Sequence, residues 1–202
     1  MALASGQRVR RAAVKLFATR GFHGTGIRDL ARAAKLSSAS LYHYMGTKED
    51  LLADIMRDCL RDLITAATET LDGVQDPRER VIRLVTLHVR THATQPEETR
   101  IVDNEIHVLS PNAQRSVIAL RDEYERLWTQ AIADGLAQGV FRTTQPAVTR
   151  IALLEMCNGV ARWYSPRGQL SLDELGAHFA ELALRGLGAC PHGCTEGRSG
   201  GE

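Results

Sequence analysis

Apolar residues return every three to four positions along almost the whole chain, and no stretch alternates β-branched and polar residues between hairpin turns. That spacing places the apolar side chains on one face of successive α-helices, so an all-α fold follows. Proline and glycine punctuate the pattern. Pro77, Pro96, Pro111 and Pro146 stand where helices begin, because the N–H a proline lacks is unpaired in a first turn. Gly21, Gly73, Gly186 and Gly188 stand where helices end, and Gly135, Gly139 and Phe141 mark a break.

This predicts about nine helices: Gln7 to Arg20, Gly26 to Ala34, Ser38 to Tyr44, Thr47 to Leu71, Pro77 to Thr91, Pro96 to Leu109, Pro111 to Gln138, Pro146 to Trp163 and Leu172 to Leu187. Ser37 can cap the third. Thr47 with Asp50 three residues on has the form of a capping box for the fourth. The tail 189–202 is Gly-rich and aperiodic, and disorder is expected there. No stretch has the roughly 18 consecutive apolar residues of a spanning helix, and the first residues lack the apolar core of a signal peptide. A cytoplasmic protein without a membrane partner is expected, consistent with Cys59 and Cys157 standing alone inside helical patterns.

A net charge of +1 says little, but its distribution says more. Residues 1–45 carry eight Lys and Arg against one acid, a formal +7; the other 17 basic and 23 acidic residues leave −6 on the rest. A basic N-terminal unit on an acidic body suits a segment that meets phosphate.

Two short helices joined by a turn at Lys35 and Leu36 have the dimensions of a helix-turn-helix. The runs Phe17-Ala-Thr-Arg-Gly-Phe22, Thr25-Gly-Ile-Arg-Asp-Leu-Ala31, Leu41-Tyr-His-Tyr-Met45 and Thr47-Lys-Glu-Asp-Leu-Leu52, with the gaps between them, closely resemble the DNA-binding signature of the tetracycline-repressor (TetR) family across about residues 7–56. The resemblance implies a dimeric repressor: a reading unit (1–46), then a helical ligand-binding and dimerisation domain (47–188) whose last two helices pair with their twins.

The third helix suits the major groove, because short side chains at its start (Ser38, Ala39, Ser40, after Ser37) allow close approach to base edges. Leu41 and Met45, four apart, face the core and leave Tyr42, His43 and Tyr44 on the remaining faces. Family resemblance implies that Tyr42 binds phosphate and its neighbours reach phosphates or bases; packing for Tyr44 and plain solvent exposure for His43 stay open. Lys48, Thr25 and Arg28 are expected as phosphate clamps at helix starts. Lys35, where the family commonly has glycine, is expected either to take a positive φ or to touch phosphate.

For the body, the polar and aromatic residues on apolar helices are the candidate ligand contacts: His88, Glu105, Tyr124, Trp128, Met156, Asn158, Arg162 and Trp163. The run Arg162-Trp-Tyr-Ser-Pro-Arg-Gly168 resembles a subgroup of these repressors that answer to CoA thioesters, which implies a small hydrophobic ligand, an acyl-CoA among the options, with Arg162 or Arg167 near its phosphates. The rival is metal: His88 and His92, four apart, share a helix face, and Glu105 and His107 could complete a site for a metal-responsive regulator or a metal-dependent enzyme. No Glu follows His88 as a metalloprotease motif requires, and the chain has neither a phosphate-cradling glycine loop nor a nucleophile elbow. No cofactor is expected.

Overall fold

The computed structural model describes residues 4–189. Among them there are helices and turns but no strand, and no helix is long and apolar enough to cross a membrane. The predicted tail beyond Ala189, with Cys190, His192 and Cys194, lies outside the described residues.

The helices are α1 (Ser5–Arg20), α2 (Ile27–Ala34), α3 (Ser38–Met45), α4 (Lys48–Leu71), α5 (Pro77–Thr94), α6 (Pro96–Asn104), α7 (Pro111–Ala137), α8 (Pro146–Asn158), α9 (Val160–Trp163) and α10 (Leu172–Gly186). All four prolines sit in the first turns of their helices, as their spacing predicts. Thr47 and Asp50 form the capping box of α4: the Asp50 N–H donates to Thr47 Oγ1 at 3.0 Å, and the Thr47 N–H donates to Asp50 Oδ2 at 2.9 Å. Ser171 and Glu174 repeat the device on α10.

Three boundaries differ from the sequence reading. The sixth predicted helix stops at Asn104, and Ile106–Val108 forms a separate 3-10 turn. The eighth is interrupted at Gly159, so α8 and α9 are two pieces of one predicted helix. Gly135 is not a break. It lies buried inside α7, where a Cβ would come 2.1 Å from the Phe141 ring, so its lack of a side chain lets the chain beyond Gly139 fold back onto the helix.

Two apolar cores share α4. The first gathers Phe17, Leu30, Leu41 and Met45 from the N-terminal helices around Leu52, Ile55 and Met56 of α4, with Ile101 of α6 and Val117 of α7. The second takes over at Leu63 and joins α5, α7, α8 and α10 around Leu84, Trp128, Ile132 and Leu175. α10 packs along α5, and α4 along α7. The three N-terminal helices are therefore mounted on one end of a helix whose other end belongs to the second core.

Candidate functional site

The first candidate site is the surface of α2 and α3. Leu41 and Met45 are buried, which turns Ser38, Ala39, Ser40, Tyr42, His43 and Tyr44 outward; Tyr42 and Tyr44 are 52% and 46% exposed, with the Tyr44 ring lying edge-on to His43. Ser37 caps α3, its hydroxyl accepting the Ser40 N–H at 3.1 Å and donating to Ser40 Oγ at 2.9 Å. Lys35 takes φ 57° and ψ 48°, the left-handed conformation that ends α2, and the Leu36 N–H closes the turn on the Ala31 carbonyl at 2.9 Å. The Lys35 side chain is exposed, as is Arg28 in the first turn of α2.

Two expected phosphate clamps are turned to other work. Thr25 is fully buried, and its hydroxyl donates to the Gly21 carbonyl at 2.9 Å, so it shapes the α1–α2 loop instead of facing solvent. The Lys48 ammonium donates to the carbonyls of Phe22 (3.0 Å) and Thr25 (2.9 Å) and lies 4.1 Å from the centroid of the Phe22 ring. It fastens the start of α4 to the same loop by charge-assisted hydrogen bonds and a cation–π contact.

The second site is a mostly apolar cavity of about 90 Å³ inside the body. His88, Tyr124 and Asn158 meet there: His88 Nδ1 lies 2.9 Å from the Tyr124 hydroxyl and Nε2 lies 2.8 Å from Asn158 Oδ1. One tautomer satisfies both contacts, with Nε2–H donating to the amide oxygen and bare Nδ1 accepting from the phenol. Burial first, and the neighbouring His92 second, hold the His88 pKa well below the ordinary histidine value; burial likewise raises Tyr124. Trp128 is fully buried behind this group, its ring edge-on to His88.

The other expected ligand contacts lie elsewhere. Glu105 ends α6 and accepts the Phe22 N–H at 3.4 Å, bridging to the loop after α1. Met156 is packed against the second core away from the cavity lining. Arg162 and Trp163 are on the outside of α9, with Trp163 57% exposed beside Phe179. The sequence reading of ligand contacts passed over Asp103, Thr99, Arg121 and Glu125, which line the cavity with His92 and Cys59. Thr99, Val102 and Asp103 sit at helical spacing, so a carboxylate on the inward face of α6 was the available signal.

The metal reading meets a geometric obstacle. The rings of His88 and His92 stack with centroids 4.1 Å apart and an interplanar angle of 15°, so their in-plane nitrogen lone pairs do not converge on one point. Both His88 nitrogens and His92 Nδ1, which donates to the His88 carbonyl at 3.0 Å, are already engaged. Among the described residues no group of three or more His, Cys, Asp or Glu is arranged to hold a metal ion.

α6 links the two sites. Thr99, Val102 and Asp103 face the cavity, while Arg100 donates to the Ala18 carbonyl at 2.7 Å in the last turn of α1 and Glu105 holds Phe22.

Two family models match the chain: "Bacterial regulatory proteins, tetR family" over residues 9–55, and "Tetracyclin repressor-like, C-terminal domain" over residues 74–187. The transcriptional repressor KstR2 of Rhodococcus jostii is 31% identical over 182 residues, covering 89% of each chain. A solved tetR-family regulatory protein from Rhodococcus RHA1 superposes with a TM-score of 0.86 at 25% identity, covering 94% of this chain and all of that one. The fold is also shared with AibR, solved with isovaleryl coenzyme A and operator DNA, with a TM-score of 0.80 at 22% identity over 89% and 97% of the two chains.

Proposed function

Since the chain belongs to the tetracycline-repressor family of helix-turn-helix transcriptional regulators, we propose that it is a cytoplasmic repressor that binds a pseudo-palindromic operator as a homodimer and leaves it when a small hydrophobic ligand enters the cavity between α4 and α8. Residues 1–46 are the reading unit. Arg28, Lys35, Ser37 to Ser40, Tyr42, His43 and Tyr44 present hydroxyls, amines and aromatic edges on one basic surface, the set that phosphate positioning and major-groove readout require. The exposed Val148, Ile151, Trp163 and Leu182 on α8, α9 and α10 are the surface for pairing with a second copy.

The observation that carries this reading is the double engagement of α6, with one set of residues in the cavity wall and another holding the end of α1 and the loop after it. A ligand that repositions α6 moves the mount of the reading unit, and a dimer whose two recognition helices lose their separation of roughly 34 Å no longer fits both half-sites.

The narrower reading is an acyl-CoA thioester. A cavity of about 90 Å³ has room for a short acyl group and leaves the nucleotide outside; Arg162 and Arg167 are exposed, though neither lines the cavity. Support comes from the run 162–168 and from the relative solved with isovaleryl coenzyme A. The test is fluorescence anisotropy of the purified protein on DNA from its own upstream region, at several salt concentrations, with and without a panel of acyl-CoAs. Salt-dependent binding abolished by one thioester establishes both readings. Specific binding released only by other hydrophobic compounds removes the thioester, and absence of specific binding at any salt overturns the repressor.

A further inference from the structure

His92 and Asp103 form a polar corner of the cavity whose hydrogen bonding is incomplete by their own geometry. His92 is 3% exposed, and its Nδ1 must carry a proton because it donates to the carbonyl of His88 at 3.0 Å. Its Nε2 faces Asp103 Oδ2 at 3.5 Å, beyond hydrogen-bond length. Both neighbours of the ring are thus acceptors, so each ring nitrogen is placed where an N–H is the group that suits its neighbour. The pair then offers a donor and a carboxylate acceptor side by side on the cavity wall, with Leu60, Leu63, Val102 and Leu154 around them.

A hydroxyl is the complement of such a pair. Its oxygen accepts from His92 Nε2–H, its proton goes to Asp103, and one atom about 2.8 Å from each partner satisfies both. A carbonyl oxygen only accepts and leaves the carboxylate unmet. A methyl group desolvates both partners and gives nothing in return.

We propose that His92 and Asp103 are the polar anchor of the ligand site and select a hydroxyl group carried on a hydrocarbon ring or chain. The anchor spans α5 and α6, so the hydroxyl closes the gap between a helix of the body and the helix whose Arg100 and Glu105 hold the reading unit. A purely apolar ligand fills the cavity without engaging Asp103. The proposal rests on the reading of this cavity as the ligand site.

The experiment compares phenol with toluene, two rings of nearly equal size that differ by hydroxyl for methyl, titrated into the full chain while the histidine ring carbon–proton signals are followed by NMR. Wild-type protein is expected to bind phenol about tenfold more tightly than toluene, with the His92 signal moving most. In His92→Phe, which keeps the ring stack on His88, and in Asp103→Leu, the preference falls to about onefold while toluene still binds. Equal affinity of the two probes for wild type overturns the anchor and leaves the cavity as the ligand site, and so does a preference that survives both variants. If neither probe moves the His88 or His92 signals, the cavity reading fails and the anchor falls with it. The wild-type comparison decides the question even if a variant does not fold.

Discussion

His88 and His92, one helical turn apart on α5, stack face to face with ring centroids 4.1 Å apart, yet they do different things: His88 is held by a phenol and an amide, whereas His92 is held by the His88 carbonyl alone and has the Asp103 carboxylate 3.5 Å from its other nitrogen. Burial opposes a charge on His88, and the neighbouring His92 adds to that opposition.

Stability below neutral pH should report that opposition. The folded-state pKa of His88 is depressed, so the unfolded chain binds its proton first, and the stabilisation is complete above the unfolded value of about 6.5 and is lost as pH falls below it. Between pH 6.5 and 5.5 this residue alone should remove about 1 kcal/mol. Denaturant unfolding of wild type and His88→Gln across that range checks it; the variant should show a shallower decline, and equal slopes would refute the assignment.

Lys48 and Arg28 should separate under salt. Lys48 spends its ammonium on the Phe22 and Thr25 carbonyls, so Lys48→Met should cost about 2 kcal/mol of stability and weaken operator binding with little change in salt slope. Exposed Arg28 should act on the slope itself: Arg28→Ala should lower it by about 0.9 with an unchanged melting temperature. A reduced slope for Lys48→Met would show that it leaves those carbonyls for a phosphate on DNA.

Lys35→Gly tests the turn. Lys35 adopts the left-handed region that glycine enters freely, so the substitution should stabilise the protein by about 1 kcal/mol in thermal melts. If the Lys35 side chain also meets phosphate, the more stable variant binds the operator more weakly and with a smaller salt slope. Stability gained without any change in binding would assign Lys35 to the turn alone.

What was legible in the sequence was local. Leu41 and Met45, four apart, fixed the outward face of α3, Thr47 with Asp50 announced the start of α4, and the prolines announced four more helices. What was not legible depends on partners far along the chain. Thr25 and Lys48 read alike whether they face DNA or a loop, and only folding brings the Lys48 ammonium to carbonyls 23 and 26 residues away. His88 finds Tyr124 and Asn158 across 36 and 70 residues, and Glu105 reaches Phe22 across 83, so the roster of cavity residues could not come from spacing on one helix. Gly135 misled for the same reason: its role is set by Phe141 folding back over α7.

The exposed apolar residues of the last helices give the most direct test of the assembly. Leu182 on α10 and Trp163 on α9 are 38% and 57% exposed, and Ile151 on α8 is both 52% exposed and part of the cavity wall. In a monomer much of these side chains faces water, whereas a second copy would bury them across a two-fold axis. A charge placed there faces its own image across that axis, so Leu182→Glu combined with Trp163→Glu should turn a dimer into a monomer in sedimentation velocity while leaving helicity unchanged. A monomer carries one reading unit and loses the effective concentration that ties the second half-site to the first, so affinity for a full operator should fall by about a hundredfold or more while affinity for an isolated half-site stays the same. A double variant that stays dimeric would move the interface off α8 to α10. A monomer that keeps full operator affinity would mean that pairing is not what fits this protein to its DNA.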